Sequence, residues 1–256
     1  VARYLRPDEL HQAFNFEYLT APWDAGRLRQ VIERSLAANG SVGATTTWVL
    51  SNHDVTRHVT RFGGGEQGLR RARAATLLML ALPGSVYLYQ GEELGLPEVT
   101  DLPEEALQDP TWERSGRTER GRDGCRVPLP WEEGPAPYGF GPEGSVPWLP
   151  MPEGWGALAR SAQRGVEGST LELYRRALRL RRELDALGDG TMTWADAPEG
   201  VLCFEREPGV RCAVNFGDAP AEVAAAGEVL VASGPVEPPS EGRLILPGDT
   251  AVWLRR

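Results

Sequence analysis

The chain has 256 residues, of which 41% are hydrophobic, an ordinary composition for a soluble globular protein and enough for one large domain, alone or with a small satellite. Its net charge of -9 and pI near 5.0 argue against nucleic-acid and anionic-membrane partners, which require clustered positive charge, and leave a neutral partner as the expectation. No apolar run is long enough to span a bilayer, and the opening VARYLRPDEL has neither a basic n-region nor an apolar h-region, so no membrane or signal segment and a cytoplasmic location are expected.

The first part of the chain repeats the order strand, helix. QAFNFEYL (12–19) reads as a strand, and after Asp24 as a cap the apolar positions Leu28, Val31, Ile32 and Leu36 keep helical spacing as far as Gly40. TTTWVL (45–50) is rich in β-branched residues and nearly uninterrupted in apolar surface, as a parallel strand buried on both faces is. EQGLRRARAATLLMLALPG follows as a helix stopped by Pro83 and Gly84. GSVYLYQGEELGL (84–96) reads as a third strand. Its helix is delayed to STLELYRRALRLRRELDALG, where Ser169 and Glu172 predict a capping box and Leu171, Tyr174, Leu178 and Arg181 share a face. Alternation of this kind predicts a parallel sheet.

Residues 97–168 hold four of the eight Trp and eleven of the 21 Pro, and a loop this long in a compact domain is expected to be a lid or binding wall. Beyond Gly188 the short runs TMTWA, GVLCFERE, VRCAVNFG, GEVLVASG, GRLILPG and TAVWLRR predict a separate antiparallel β domain, which puts the boundary between 1–187 and 188–256. Cys125, Cys203 and Cys212 make an odd count without C-x-x-C, against a zinc site or a disulfide framework. Cys203 and Cys212 are spaced to face each other across a hairpin, with reduced packing thiols as the expectation.

Asn52, His53 and Asp54 end the second strand, and the carboxyl ends of parallel strands are where β/α folds bind ligands. Spacing alone leaves two readings open: a ligand-gripping carboxylate, or an Asp54 that caps the next segment or pairs with Arg57. His53 and His58 lack the helical spacing of a zinc pair, so no metal and no cofactor are expected. Glu92 and Glu93, adjacent on a predicted strand, point to opposite faces and cannot act as a reacting pair. GFGPEG (139–144) fits G-x-G-x-x-G, but with Pro142 and no flanking strand or helix it is a chance match.

WVLSNHDVTRHVTRFG resembles the fourth signature region of the α-amylase superfamily, glycoside hydrolase family thirteen, where a strand ends in N-H-D. GSVYLYQGEELGLPEV resembles that family's eighth barrel strand and its loop. RDGCRVPLPW (122–131) resembles the R-D-x-x-R-x-P loop of the α-glucosidase and oligo-1,6-glucosidase branch, and QAFNFEYL that branch's sixth strand. The resemblance covers essentially the whole chain. It implies an α/β fold: the C-terminal three β/α units of a (β/α)8 TIM-type barrel, followed by a small antiparallel β-sandwich domain.

By the same resemblance Asp54 is the third catalytic carboxylate, the transition-state stabiliser that grips the sugar's 2-OH and 3-OH, and His53 donates to the same hydroxyls. Arg122 and Arg126 lie in a loop closing the substrate pocket, with Arg122 near the 4-OH of the terminal glucose. Arg57 matches a further family arginine, for which a salt bridge to Asp54 and a substrate contact both stay open. Without the resemblance, ERSGRTERGRDGCR reads as a charged loop pairing with Glu113 and Glu119.

The implied activity is that of an exo-acting, retaining α-glucosidase on a small α-glucoside or maltooligosaccharide. A transglycosylating relative, such as a trehalose synthase or sucrose-processing enzyme, shares the motifs, and a non-catalytic carbohydrate-binding fragment is a third reading. The family's nucleophile and general acid precede its sixth strand, so both are expected outside this chain, which opens on Val1 rather than Met. The expected partner is the missing N-terminal half of the barrel or another copy of the chain.

Overall fold

Residues 12–19 depart from the expected strand. In the computed structural model, which describes residues 4–5, 8–188 and 191–255, positions 12–15 have no regular structure and Phe16–Leu19 form a single helical turn, α1. Asn15 Oδ1 accepts from the Tyr18 N–H at 3.1 Å, closing the turn with a side chain instead of a ladder bond. Tyr18 and Leu19, neighbours in sequence, are both buried, which a helical turn allows and a strand with one covered face does not. Val1 and Arg256, at the two ends of the sequence reading, lie outside the described residues.

Helix α2 (Ala25–Gly40) starts as predicted, with Asp24 accepting from the Arg27 N–H and Leu28, Val31 and Ile32 buried. Strand β1 (Thr47–Val49) follows, buried at all three positions. The short α3 (His58–Arg61) and the long α4 (Gly65–Ala81) then cross to β2 (Ser85–Tyr87). β1 and β2 pair in parallel with Thr47 opposite Ser85 and Val49 opposite Tyr87. Instead of three β/α units, the described residues form two hydrogen-bonded parallel strands, and residues 12–14 reach β2 through side chains: Gln12 Nε2 donates to Ser85 Oγ, Tyr87 OH donates to Gln12 Oε1, and the Phe14 and Tyr87 rings meet edge-on at 5.2 Å.

The long segment after β2 is ordered, with α5 (Pro110–Arg114), α6 (Arg160–Gln163) and several single 3-10 turns. It has a core of its own, in which Leu94, Leu96, Val99, Leu102, Val127, Tyr138, Leu149 and Trp155 pack together. Helix α7 (Thr170–Glu183) begins at Ser169, whose Oγ accepts from the Glu172 N–H. The capping box is half formed, because the Glu172 carboxylate turns instead to the Gly165 N–H at 2.8 Å.

The C-terminal runs become β3 (Met192–Trp194), β4 (Val201–Arg206), β5 (Val210–Asn215), β6 (Ala221–Ala224), β7 (Val229–Ala232), β8 (Arg243–Leu246) and β9 (Thr250–Arg255). Five of them form an antiparallel sheet in the order β3-β4-β5-β9-β7, and β6 pairs with β8 in a second. β6 went unread because AEVA buries only Val223, too little apolar surface to show alternation. The register sets Cys203 opposite Ala213 and Phe204 opposite Cys212, so the two cysteines lie on opposite faces of the sheet, correcting the facing pair. Cys203 packs between the two sheets with Val223, Leu244 and Leu246, whereas Cys212 packs with Phe204, Trp253 and residues of α4. Trp253, fully buried, donates Nε1–H to the Leu77 carbonyl of α4 at 3.0 Å. One core therefore runs from the parallel pair through α4 into the antiparallel sheet.

Candidate active site

Where β1 stops, the backbone turns under its own side chain. Asn52, buried, accepts through Oδ1 from the Asp54 N–H at 2.9 Å; this Asx turn ends the strand and lifts His53 and Asp54 into solvent. Three side chains converge on the Asp54 carboxylate. Arg122 Nη1 donates to its Oδ1 at 2.8 Å, Arg126 Nη2 lies 3.5 Å from the same oxygen, and His53 Nε2 lies 3.6 Å from Oδ2. Arg126 also donates Nε–H to the His53 carbonyl at 2.9 Å. The strand end and the R-D-x-x-R loop, 68 residues apart in sequence, thus meet at one carboxylate.

Sequence reasoning missed what holds the arginines. Asp109, whose side chain is 1% exposed, accepts through Oδ2 from both Nε and the backbone N–H of Arg122, while Arg122 Nη2 lies 3.4 Å from Oδ1. The paired Arg122 guanidinium holds the Asp109 carboxyl far below the usual carboxylate range, outweighing the opposing effect of desolvation. Asp109 also caps α5 by accepting from the Thr111 N–H. Asp123, the aspartate of the R-D-x-x-R motif, is buried beneath and accepts from the backbone N–H groups of Gln108 and Asp109. Asp109 followed by Pro110 at the first helical position is the pattern of a helix start, but no spacing rule carries its reach to Arg122. The charged-loop alternative holds for Arg117, which pairs with Glu113 on the surface, but Arg122 and Arg126 turn inward to Asp109 and Asp54.

Arg57 takes neither of the places left open for it. It is 2% exposed and donates Nη1–H to the Gln90 carbonyl and Nη2–H to the Cys125 carbonyl, with its guanidinium over the Tyr89 ring. Its own N–H donates to Glu98 Oε2. Arg57 therefore stitches the loop after β2 to the loop carrying Arg122 and Arg126. Gly124 completes the seam: a Cβ there would overlap the Val99 carbonyl and lie 2.6 Å from Glu98 Oε1, so the R-D-x-x-R turn needs glycine for close approach.

The other titratable groups stay out of the cluster. His58 is buried against Ser51, and burial pushes its pKa down to about 3, so the ring is neutral. Glu93 folds back to accept from the Gly91 N–H. Glu92 is buried with no well-formed hydrogen bond to its carboxylate oxygens, and desolvation raises its pKa to about 8. Among the described residues, no group of three or more His, Cys, Asp or Glu is placed to hold a metal ion, and no helix is long and apolar enough to cross a membrane. The arrangement offers one solvent-facing carboxylate flanked by fork-shaped donors, which suits neighbouring hydroxyls of a neutral polyol.

Comparisons with known proteins converge. The model of the alpha amylase catalytic domain matches residues 6–190, and that of a domain of unknown function matches residues 187–253. A probable alpha-glucosidase of Rhizobium meliloti is 35% identical over 216 residues, covering 82% of this chain and 38% of the relative. An oligo-1,6-glucosidase of Parageobacillus thermoglucosidasius is 24% identical over 212 residues, covering 72% of this chain and 37% of the relative. The solved structure of an alpha-glucosyl transfer enzyme superposes with a TM-score of 0.84 at 36% identity, over 100% of this chain and 48% of that one. A trehalulose synthase gives the same TM-score at 22% identity, a likeness of fold. The chain spans less than half the length of the alpha-glucosidase, the oligo-1,6-glucosidase and the alpha-glucosyl transfer enzyme, and 53% of the trehalulose synthase.

Proposed function

The chain belongs to the alpha-amylase catalytic-domain family, and from that membership we propose that Asp54 is the sugar-gripping carboxylate of an exo-acting, retaining α-glucosidase. The convergence of Arg122 and Arg126 on Asp54 Oδ1, at 2.8 and 3.5 Å, carries the reading. A glucosyl ring entering the site exchanges the guanidinium contacts of Asp54 for its 2-OH and 3-OH. As the ring flattens towards an oxocarbenium-like state, charge develops next to a carboxylate already in place, so the transition state gains more than the ground state does. His53 reaches the same hydroxyls from the Oδ2 side. Arg122 presents Nη1 to the terminal sugar's 4-OH, and the wall formed by its loop stops longer chains from passing through, which makes the action exo.

The nucleophile and the general acid are contributed by residues outside this chain, because retaining hydrolysis needs two carboxyl groups facing the anomeric carbon and Asp54 grips the ring hydroxyls instead. The substrate is a small α-glucoside or maltooligosaccharide, in line with relatives named alpha-glucosidase and oligo-1,6-glucosidase. The test is Asp54→Asn in the complete enzyme, assayed on a chromogenic α-glucoside. A kcat lower by about 100-fold or more with unchanged unfolding temperature is expected; a near-normal kcat/KM would overturn the role of Asp54. The 36% identity to an alpha-glucosyl transfer enzyme favours a second reading, in which a sugar hydroxyl replaces water as acceptor. Chromatography of products at high substrate concentration separates the two: new oligosaccharides mean transfer, and free glucose means hydrolysis.

A further inference from the structure

We propose that Asp109 is a positioning residue that clamps one edge of the Arg122 guanidinium so that only its Nη1 corner faces the sugar site. The inference rests on the reading of Arg122 and Asp54 as a sugar-gripping pair. A guanidinium carries five N–H groups in a planar fork. Asp109 accepts Nε–H through Oδ2 and faces Nη2 through Oδ1, a side-on two-point pairing that fixes the plane of the fork. One Nη1–H is committed to Asp54, and the other remains for a ligand hydroxyl. Arg126 Nη1, 3.9 Å from Asp109 Oδ2, ties the second arginine to the same anchor.

Asp109 is built to stay still. Its N–H donates to Asp123 Oδ2 at 2.8 Å, its own carboxylate caps α5, and Pro110 follows at the first helical position. Gly121 packs so closely that a Cβ there would lie 2.7 Å from the Asp109 Cβ. The clamp also solves an electrostatic problem. If Asp54 were the sole counter-ion of Arg122, turning Asp54 towards a sugar would leave the guanidinium facing that sugar without a counter-ion. With Asp109 held against its other edge, Arg122 keeps a counter-ion throughout.

The experiment is a double-mutant cycle in the complete enzyme, with Asp109→Asn, Arg122→Ala and both together assayed on a chromogenic α-glucoside. Asparagine is itself a good N-cap, so α5 keeps its start. Asp109→Asn is expected to raise KM about tenfold while changing kcat less than about threefold, and to add nothing in the Arg122→Ala background. An unchanged KM, or an equal loss in both backgrounds as a purely structural cap would give, overturns the inference. If Arg122→Ala itself leaves KM unaltered, the sugar-gripping reading fails first. The clamp is then judged on this chain by NMR exchange of the Arg122 Nε–H. Exchange should quicken in Asp109→Asn and stay slow in Asp54→Asn; equal rates in the two variants sink the clamp.

Discussion

The two sheets of this molecule are held in opposite ways. β1 and β2 pair over three residues each, and at their carboxyl ends the ladder gives way to loops joined by arginine, aspartate and buried backbone groups. β4, β5 and β9 pair over six residues each, and apolar side chains cover both faces of that sheet. A complete ladder with two covered faces leaves little to bind a solute. A ladder that ends early leaves polar groups to be satisfied by side chains, and those side chains can exchange partners with a ligand. Function is therefore expected to concentrate at the end of β1, and stability where β9 meets α4.

The sharpest way to break that contrast is Trp253→Ala. The side chain is fully buried between the antiparallel sheet and α4 and donates to Leu77, so denaturant unfolding should show a loss of about 3–5 kcal/mol. The folded fraction should keep its affinity for a small α-glucoside. A large affinity loss without a stability loss would invert the comparison. Asp54→Asn should do the reverse, costing about 100-fold in kcat of the complete enzyme while moving the unfolding midpoint by no more than about 2 °C.

A third, smaller effect separates the buried titratable groups from the exposed cluster. Glu92 in the folded chain binds its proton up to about pH 8 against an ordinary 4.5, so stability falls as pH rises through that window. His58 in the folded chain titrates at about 3 against an ordinary 6.5, so stability falls as pH drops from 6.5 towards 3. The two slopes cancel where the windows overlap. The contribution of this pair is thus level between pH 4.5 and 6.5 and lost on either side. Glu92→Gln should abolish the alkaline limb, worth about 2 kcal/mol between pH 6.5 and 8 in urea unfolding curves. An unchanged limb would show that Glu92 does not titrate there. The smallest effect expected is that of reductant: Cys203 and Cys212 lie on opposite faces and are free, so dithiothreitol should leave the unfolding midpoint where it is.

Local patterns read correctly wherever the cause was local. Asp24 and Ser169 start helices because an oxygen side chain there reaches an amide three residues on. Leu82 is extended because Pro83 follows it. N-H-D falls at the end of a buried strand because polar side chains cannot continue an apolar run. QAFNFEYL was misread for the same reason in reverse: its alternating aromatics mimic a strand, and only a hydrogen-bonded neighbour would have made it one. Where no ladder forms, Asn15 is free to turn the chain into a helix.

What no spacing rule reaches is the partner across space. Arg57, Arg122 and Arg126 are the same residue type within 70 positions of sequence, yet one is buried on carbonyls and two converge on a carboxylate. The sequence by itself determined which groups were present at the strand end and in the R-D-x-x-R loop, and that helices start at Asp24 and Ser169. Tertiary structure alone decided that Asp109 anchors Arg122, that Arg57 closes a seam, and that Cys203 and Cys212 part company. Each of those outcomes depends on where a long side chain meets a backbone folded elsewhere, and a guanidinium, with five donors on a flexible stem, takes whichever acceptors the packed chain leaves unsatisfied.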